Sequence, residues 1–204
     1  DMASMVNGVI RKTSEALEEN DMKQAHRIQE GDVVINRFER HIEQTCLSLI
    51  KRESPIASDL RLITAALKII TDLERAADQC ADICEIIERS GTAPHLEPSE
   101  MLLPMMSLAE DQFANALRAY FDEDKERAQM VMKGDEPVNA MFTKCVNGVA
   151  KVISDQPTDA MAAVDTMMIA KYIERIGDHA TNIAEWAMYL ATGRHPKEAL
   201  LDEN

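Results

Sequence analysis

Apolar residues recur every three or four positions along most of the chain, which is the spacing of an amphipathic helix. No run alternates between apolar and polar residues for long enough to predict a β-sheet. Breaks rich in Asp, Asn, Gly and Pro separate the periodic stretches, and these residues favour turns. The pattern therefore predicts an all-α protein with six long helices, at about residues 1–19, 21–52, 58–90, 98–120, 124–154 and 158–192.

Residues near the helix boundaries refine these limits. Pro137 falls inside the fifth segment, where we expect it to kink or restart the helix. An Asp stands at each of four positions that need a helix N-cap: Asp21, Asp59, Asp124 and Asp159. The third segment carries a stripe of small and aliphatic residues that predicts its core-facing side: Leu62, Ala66, Ile69, Leu73, Ala76, Cys80, Cys84 and Ile87.

The six segments form two similar sets of three. Several polar residues of the first set recur in the second, at an offset of 103 residues in the second helix and 100 in the third. The matching residues are Asp32, Asn36, Glu74 and Asp78 in the first set and Asp135, Asn139, Glu174 and Asp178 in the second. The change of offset falls in a loop, where a deletion is tolerated. We therefore expect two related three-helix bundles, residues 1–92 and 98–204.

The composition limits the partners and the compartment. Acidic residues outnumber basic ones by 36 to 22, and the net charge of −14 argues against nucleic acid, whose phosphates require Lys and Arg. The four cysteines include no C-x-x-C pair, so we expect free thiols in a reducing, cytoplasmic compartment. No apolar run approaches the ~20 residues of a membrane span. Because Asp1 already lies in a helical pattern, we expect further residues to precede it.

Two acidic pairs interrupt stripes that are otherwise apolar. Glu74 and Asp78 are four residues apart and so share one helix face, as do Glu174 and Asp178. The carboxylates therefore lie at the edge of a packed surface. Antiparallel pairing of the second and third helices about Pro55 places Asp32 level with Asp78, and Asn36 level with Glu74. Pairing about Pro157 places Asp135 level with residue 179 and Asn139 level with residue 175, each one residue beyond the acidic pair Glu174 and Asp178.

Carboxylates that share one height repel one another and need compensation. Protonation, the neighbouring Arg75 and Arg175, or a metal cation would supply it. Oxygen-rich sites suit magnesium, calcium, manganese, iron or zinc. His179 could add a nitrogen ligand in the second repeat, but its counterpart is Gln79, so the two sites would differ.

Four segments carry the polar residues that the two repeats share or that flank them: DLERAAD at residues 72–78, YIERIGDH at 172–179, EGDVVIN at 30–36 and PIASDLR at 55–61. These segments resemble the PhoU family, the accessory regulators of high-affinity phosphate transport. The resemblance covers both repeats and implies a fold of two three-helix bundles that bind metal clusters. It implies Glu74, Asp78, Glu174 and Asp178 as ligands, followed by Asp32 and Asp135. Further ligands or neighbours of the metal would be Asn36, Asn139, His179, Asp82, Arg75 and Arg175.

The resemblance also implies a role. PhoU proteins are adaptors that link the ATPase subunit of the phosphate transporter to a membrane sensor histidine kinase, and they repress the phosphate-starvation response. We therefore expect a cytoplasmic homodimer that is peripheral to the membrane at most. The expected cofactors are cations of iron, zinc, manganese or magnesium, and no catalytic residue is expected.

Three other functions compete with this interpretation. A helical scaffold without metal would hold its carboxylates with Arg75 and Arg175. A di-iron oxidase is disfavoured because no Glu-x-x-His occurs in the chain. A phosphotransfer module would have to use His179, whose neighbour Asp178 disfavours an added phosphoryl group. Nucleotide hydrolysis is disfavoured because the chain has no Gly-x-x-x-x-Gly-Lys loop.

Overall fold

The structure, a computed structural model, describes residues 1–90, 96–134 and 136–196. Within these ranges the chain is all-α, as predicted, with seven helices and no strand. They are α1 (Met2–Glu19), α2 (Met22–Glu53), α3 (Ser58–Ser90), α4 (Leu102–Phe121), α5 (Lys125–Lys133), α6 (Glu136–Asp155) and α7 (Ala160–Thr192). Short 3-10 turns at Glu97–Met101 and Pro157–Asp159 precede α4 and α7.

The fifth predicted segment is two helices rather than one. Helix α5 ends at Lys133, and the backbone N–H of Gly134 bonds to the carbonyl of Val131 at 3.0 Å. Pro137 is the second residue of α6, where its missing N–H costs no helical hydrogen bond. The proline therefore restarts the helix, and residues 124–154 do not form one continuous rod.

Two of the four predicted Asp caps make capping hydrogen bonds. The Asp21 carboxylate accepts from the backbone N–H groups of Lys23 and Gln24, and Asp124 accepts from that of Arg127. Asp59 instead lies within the first turn of α3, and Asp159 precedes α7 without a side-chain capping bond. The sequence pattern thus locates the four helix starts to within a few residues, but it does not show which Asp makes a capping bond.

Asp21→Ala is expected to lower the free energy of unfolding by about 1 kcal/mol, because two N–H groups at the start of α2 lose their acceptor. Urea unfolding followed by circular dichroism measures this loss. Asp159→Ala removes an Asp from the same type of position without breaking a capping bond, so it should change stability much less. Equal losses in the two variants would contradict the capping argument.

The helices pack around one continuous apolar core. Helices α1, α2 and α3 pack together, α7 packs against α4, α5 and α6, and contacts of α3 with α7 and of α1 with α4 join the two groups. Among the largest fully buried side chains are Phe113, Ile83 and Ile173, from α4, α3 and α7. The division into two domains stays a prediction, since the core runs through both halves.

The predicted stripe on α3 is correct except at its start. Leu62 is 48% exposed and Ala66 is half-buried, whereas the members of the stripe from Ile69 to Ile87 are buried. Ile56 and Leu60 are exposed as well, so the hairpin end of α2 and α3 carries apolar side chains at the surface. Helical periodicity identifies the inward face of a helix but not how far along its length a neighbouring helix covers it.

Side-chain contacts connect α3 and α7 along their antiparallel lengths. The Arg61 guanidinium donates to the carbonyl of Leu190 at 3.4 Å near one end, and Arg89 pairs with Asp165 at 2.5 Å near the other. The four cysteines are buried and free. No helix in the part of the chain that the structure describes is both long and apolar enough to cross a bilayer.

Candidate metal centre

The α2–α3 hairpin brings four polar residues of the first repeat together. Asp32 and Asn36 lie one turn apart on α2, and Nδ2 of Asn36 donates to Oδ2 of Asp32 at 2.8 Å. Glu74 and Asp78 face them from α3, close enough that the Asp32 charge acts on both carboxyls. These are the residues that the register about Pro55 predicts at one height.

Glu39 on α2 is a further member of this group. Its charge acts on Glu74 and Asp78, and its Oε1 accepts from Oγ1 of Thr71 at 3.4 Å. A comparison of the repeats misses Glu39, because the matching residue is Phe142. Its position seven residues after Asp32, on the same helix face, is the sequence signal that could have found it. We call Asp32, Asn36, Glu39, Glu74 and Asp78 the first acidic cluster.

Burial and mutual repulsion make it costly to ionise this cluster. Burial raises the pKa of Asp32, while the hydrogen bond from Asn36 lowers it. The pKa of Glu74 is raised by burial and then by Asp78, Glu39 and Asp32; that of Asp78 is raised by burial and then by Asp32, Asp82 and Glu39. Arg75 opposes both shifts, but its side chain is exposed. The cluster therefore carries more negative charge than the neighbouring arginine compensates.

Two oxygens of the cluster are suited to a cation. Oδ1 of Asp32 and Oδ1 of Asn36 are buried, and neither has a hydrogen-bond partner among the described residues. A buried oxygen without a donor costs about 1–3 kcal/mol, and a hard cation would satisfy it. The residues of the first acidic cluster thus fit the metal that the sequence predicts.

The carboxylates are close without forming a finished coordination shell. In the described ranges, no three His, Cys, Asp or Glu side chains converge tightly enough to hold an ion as they stand. Closing the first acidic cluster around a cation would therefore require side-chain rotation on α2 and α3.

In the second repeat, Glu174 has a neighbour that Glu74 lacks in the first. Glu174 and Asp178 lie on α7, and Asn139 lies on α6. Glu174 forms an ion pair with Lys171, one turn earlier on the same helix. Asp135 lies outside the described residues, so its predicted place beside this group stays a prediction.

His179 faces the other repeat. Its Nδ1 lies 2.9 Å from Oδ1 of Asp72 on α3, and the residue is only 6% exposed. Successive residues of a helix point about 100° apart, so Asp178 and its neighbour lie on different faces of α7. The burial of the imidazole also counts against phosphotransfer.

Asp82 and the two arginines lie around the edges of these groups. The pKa of Asp82 is raised by burial and Glu85 and lowered by Arg175, which reaches it from α7. Asp82 thus lies between the repeats, although the Asp32 charge also acts on it. Arg75 and Arg175 are both exposed.

Comparison with known proteins gives consistent matches over nearly the whole chain. The family model for the PhoU domain matches twice, at residues 1–87 and 102–187. A phosphate-specific transport system accessory protein PhoU homolog from Clostridium acetobutylicum is 32% identical over 194 residues, covering 95% of this chain and 89% of the relative. The homolog 1 from Thermotoga maritima is 30% identical and covers 98% of this chain and 86% of its own.

Two solved structures share the fold. The crystal structure of PhoU from Pseudomonas aeruginosa superposes with a TM-score of 0.89 at 28% identity, covering 95% of this chain and 93% of the other. The phosphate transport system regulatory protein PhoU from Streptococcus pneumoniae gives 0.86 at 26% identity, covering 95% and 91%. The family model, the relatives and the folds agree, and the chain belongs to the PhoU family.

Proposed function

We propose that this protein is an accessory regulator of a phosphate-specific transport system. The observation that carries the proposal is the extent of the family match, which takes in both halves of the chain. Relatives that align over nearly all of the chain are named for this role. Those names describe accessory proteins, so the proposed role is regulation without catalysis.

The regulatory mechanism that we propose uses a metal cation held by the first acidic cluster. Asp32, Glu74 and Asp78 would supply carboxylate oxygens, with Asn36 and Glu39 beside them. The unpartnered oxygens of Asp32 and Asn36 support this assignment. A bound cation of iron, zinc, manganese or magnesium would neutralise the carboxylates and tie α2 to α3.

The partners that we propose are the transporter's ATPase subunit and a sensor histidine kinase. The protein would act as a cytoplasmic adaptor, peripheral to the membrane at most, and would repress the starvation response when phosphate is plentiful. Its net charge of −14 favours basic docking surfaces on these partners. We further propose that the adaptor is a homodimer, which sedimentation analysis tests directly.

Asp32→Asn/Glu74→Gln is expected to remove most of the metal that the wild-type protein retains after dialysis, because two carboxylate ligands become neutral amides. Mass spectrometry of untagged protein measures the metal content. Glu18→Gln, on the exposed surface of α1, is the matched control and should keep the wild-type content. Equal metal in the double variant and the wild type would exclude the first acidic cluster as the site.

A helical scaffold without metal is the competing function. The absence of three converging ligand side chains in the described ranges favours it. Wild-type protein that retains no metal above the control level, yet still regulates, would establish the scaffold instead.

A strain that lacks its PhoU-family gene and carries a phosphate-starvation reporter tests the regulatory role. The wild-type chain should repress the reporter in phosphate-rich medium, and Asp32→Asn/Glu74→Gln should not. A pull-down from the same phosphate-rich cells should recover the transporter ATPase subunit and the kinase. A reporter that responds identically with and without this chain would overturn the proposal.

A further inference from the structure

The two repeats differ at two positions beside their acidic pairs. Thr71 and Glu39 in the first repeat correspond to Lys171 and Phe142 in the second. In the first repeat, Oγ1 of Thr71 donates to Oε1 of Glu39 at 3.4 Å. The second repeat therefore has one carboxylate fewer and one ammonium more at the matching places.

The positively charged Lys171 ammonium contacts two side chains of the second repeat. It pairs with Oε2 of Glu174, and it lies 5.2 Å from the centroid of the Phe142 ring. The Glu174 side chain is only 14% exposed, so its charge is mostly shielded from water and needs a nearby counter-ion. The face of the aromatic ring adds a further favourable contact for the ammonium.

We infer that Lys171 is a built-in counter-ion that takes the place of metal in the second repeat, so that metal binds only between α2 and α3. This inference rests on the proposed metal site of the first acidic cluster. An ammonium bonded to a ligand oxygen competes with a divalent cation for that oxygen, and its positive charge also repels the divalent cation. Lys171 thus disfavours metal at Glu174, whereas Thr71 brings no charge to the matching place in the first repeat.

The two repeats also differ in which positively charged side chain lies near the Glu-x-x-x-Asp pair. In the first repeat, the position that matches Lys171 holds Thr71, whose hydroxyl donates to Glu39, and the neighbouring cation Arg75 is exposed. In the second repeat, the lysine forms a direct ion pair with Glu174. In the second repeat, a side-chain ammonium therefore already occupies a carboxylate oxygen that a metal ion would need.

Manganese titration tests the inference without any activity assay, because free Mn²⁺ gives an electron paramagnetic resonance signal that disappears on binding. In metal-stripped, full-length protein, Glu174→Gln should bind as much Mn²⁺ as the wild type. Lys171→Thr/Phe142→Glu, which installs the first-repeat residues, should bind additional Mn²⁺, and adding Glu174→Gln to it should abolish that gain. Thr71→Lys, the reciprocal change, should weaken wild-type binding at least tenfold.

Lys144→Thr, at an exposed position on α6, removes the same charge elsewhere and should leave binding unchanged. Circular dichroism checks that each variant is helical. If Glu174→Gln lowers the Mn²⁺ content of the wild type, or if Lys171→Thr/Phe142→Glu folds and gains none, the inference is overturned while the first site stands. If neither the wild type nor any variant binds Mn²⁺, both the inference and the proposed metal site fail.

Discussion

Replacing Asp72 with Ala is expected to lower the free energy of unfolding by about 3 kcal/mol. The Asp72 carboxylate on α3 accepts two hydrogen bonds from α7, from Nδ1 of His179 at 2.9 Å and Nδ2 of Asn182 at 3.0 Å. The side chains of Asp72 and His179 are 13% and 8% exposed, so water cannot readily replace the lost acceptor. The substitution leaves donors from the other repeat buried and unsatisfied, and urea unfolding measures the cost.

Two further variants separate this contact from a general effect of charge. Asp72→Asn keeps an acceptor oxygen at the same place and should lose less stability than Asp72→Ala. Glu18→Ala removes an acidic charge from an exposed position on α1 and should change stability by about 0.5 kcal/mol or less. If Asp72→Ala unfolds at the wild-type urea concentration, the polar contact does not help to hold α3 against α7.

The helices could be predicted because their periodicity and boundaries are local. The break between α5 and α6 was harder, since Pro137 is compatible with either a kink or a new start. Gly134 and the hydrogen bond to Val131 decide for the new start. The exposure of Leu62 could not be predicted, because it depends on where neighbouring helices end.

The candidate site was predictable where the repeats agree and not where they differ. Asp32 and its partners on α3 follow from spacing and hairpin register. A comparison of the repeats does not identify Glu39 and Lys171, because their counterparts are residues of a different type. These two residues nevertheless give the acidic residues of the first and second repeats their different charge. His179 follows Asp178 in sequence, yet its partner Asp72 is 107 residues away. Contacts between the repeats require the packing of α3 on α7, which no local pattern specifies.

In metal-free protein, the first acidic cluster is expected to make the fold less stable as the pH rises. The pKa of Glu74 is raised by burial and by the charges of Asp78, Glu39 and Asp32. In the unfolded chain Asp and Glu lose their protons near the ordinary values of 3.8 and 4.5, whereas the folded cluster holds them to higher pH. The unfolded state therefore binds fewer protons across this window, and stability falls as pH rises through it.

Glu74→Gln removes one of these charges at nearly constant shape. In chelator at neutral pH, the variant is expected to melt about 2–4 °C above the wild type, because repulsion from Asp78, Glu39 and Asp32 is relieved. Below the ordinary pKa of Glu, the wild-type carboxyl is protonated in both the folded and the unfolded state, so the difference in melting temperature between the variant and the wild type should vanish. Added Mn²⁺ at neutral pH should stabilise the wild type more than the variant, since the cation replaces the missing protons. Thermal unfolding across pH, with Glu18→Gln as the exposed control, measures all three effects. A Glu74→Gln variant that melts below the wild type in chelator at neutral pH would show that local contacts of this carboxylate outweigh the repulsion.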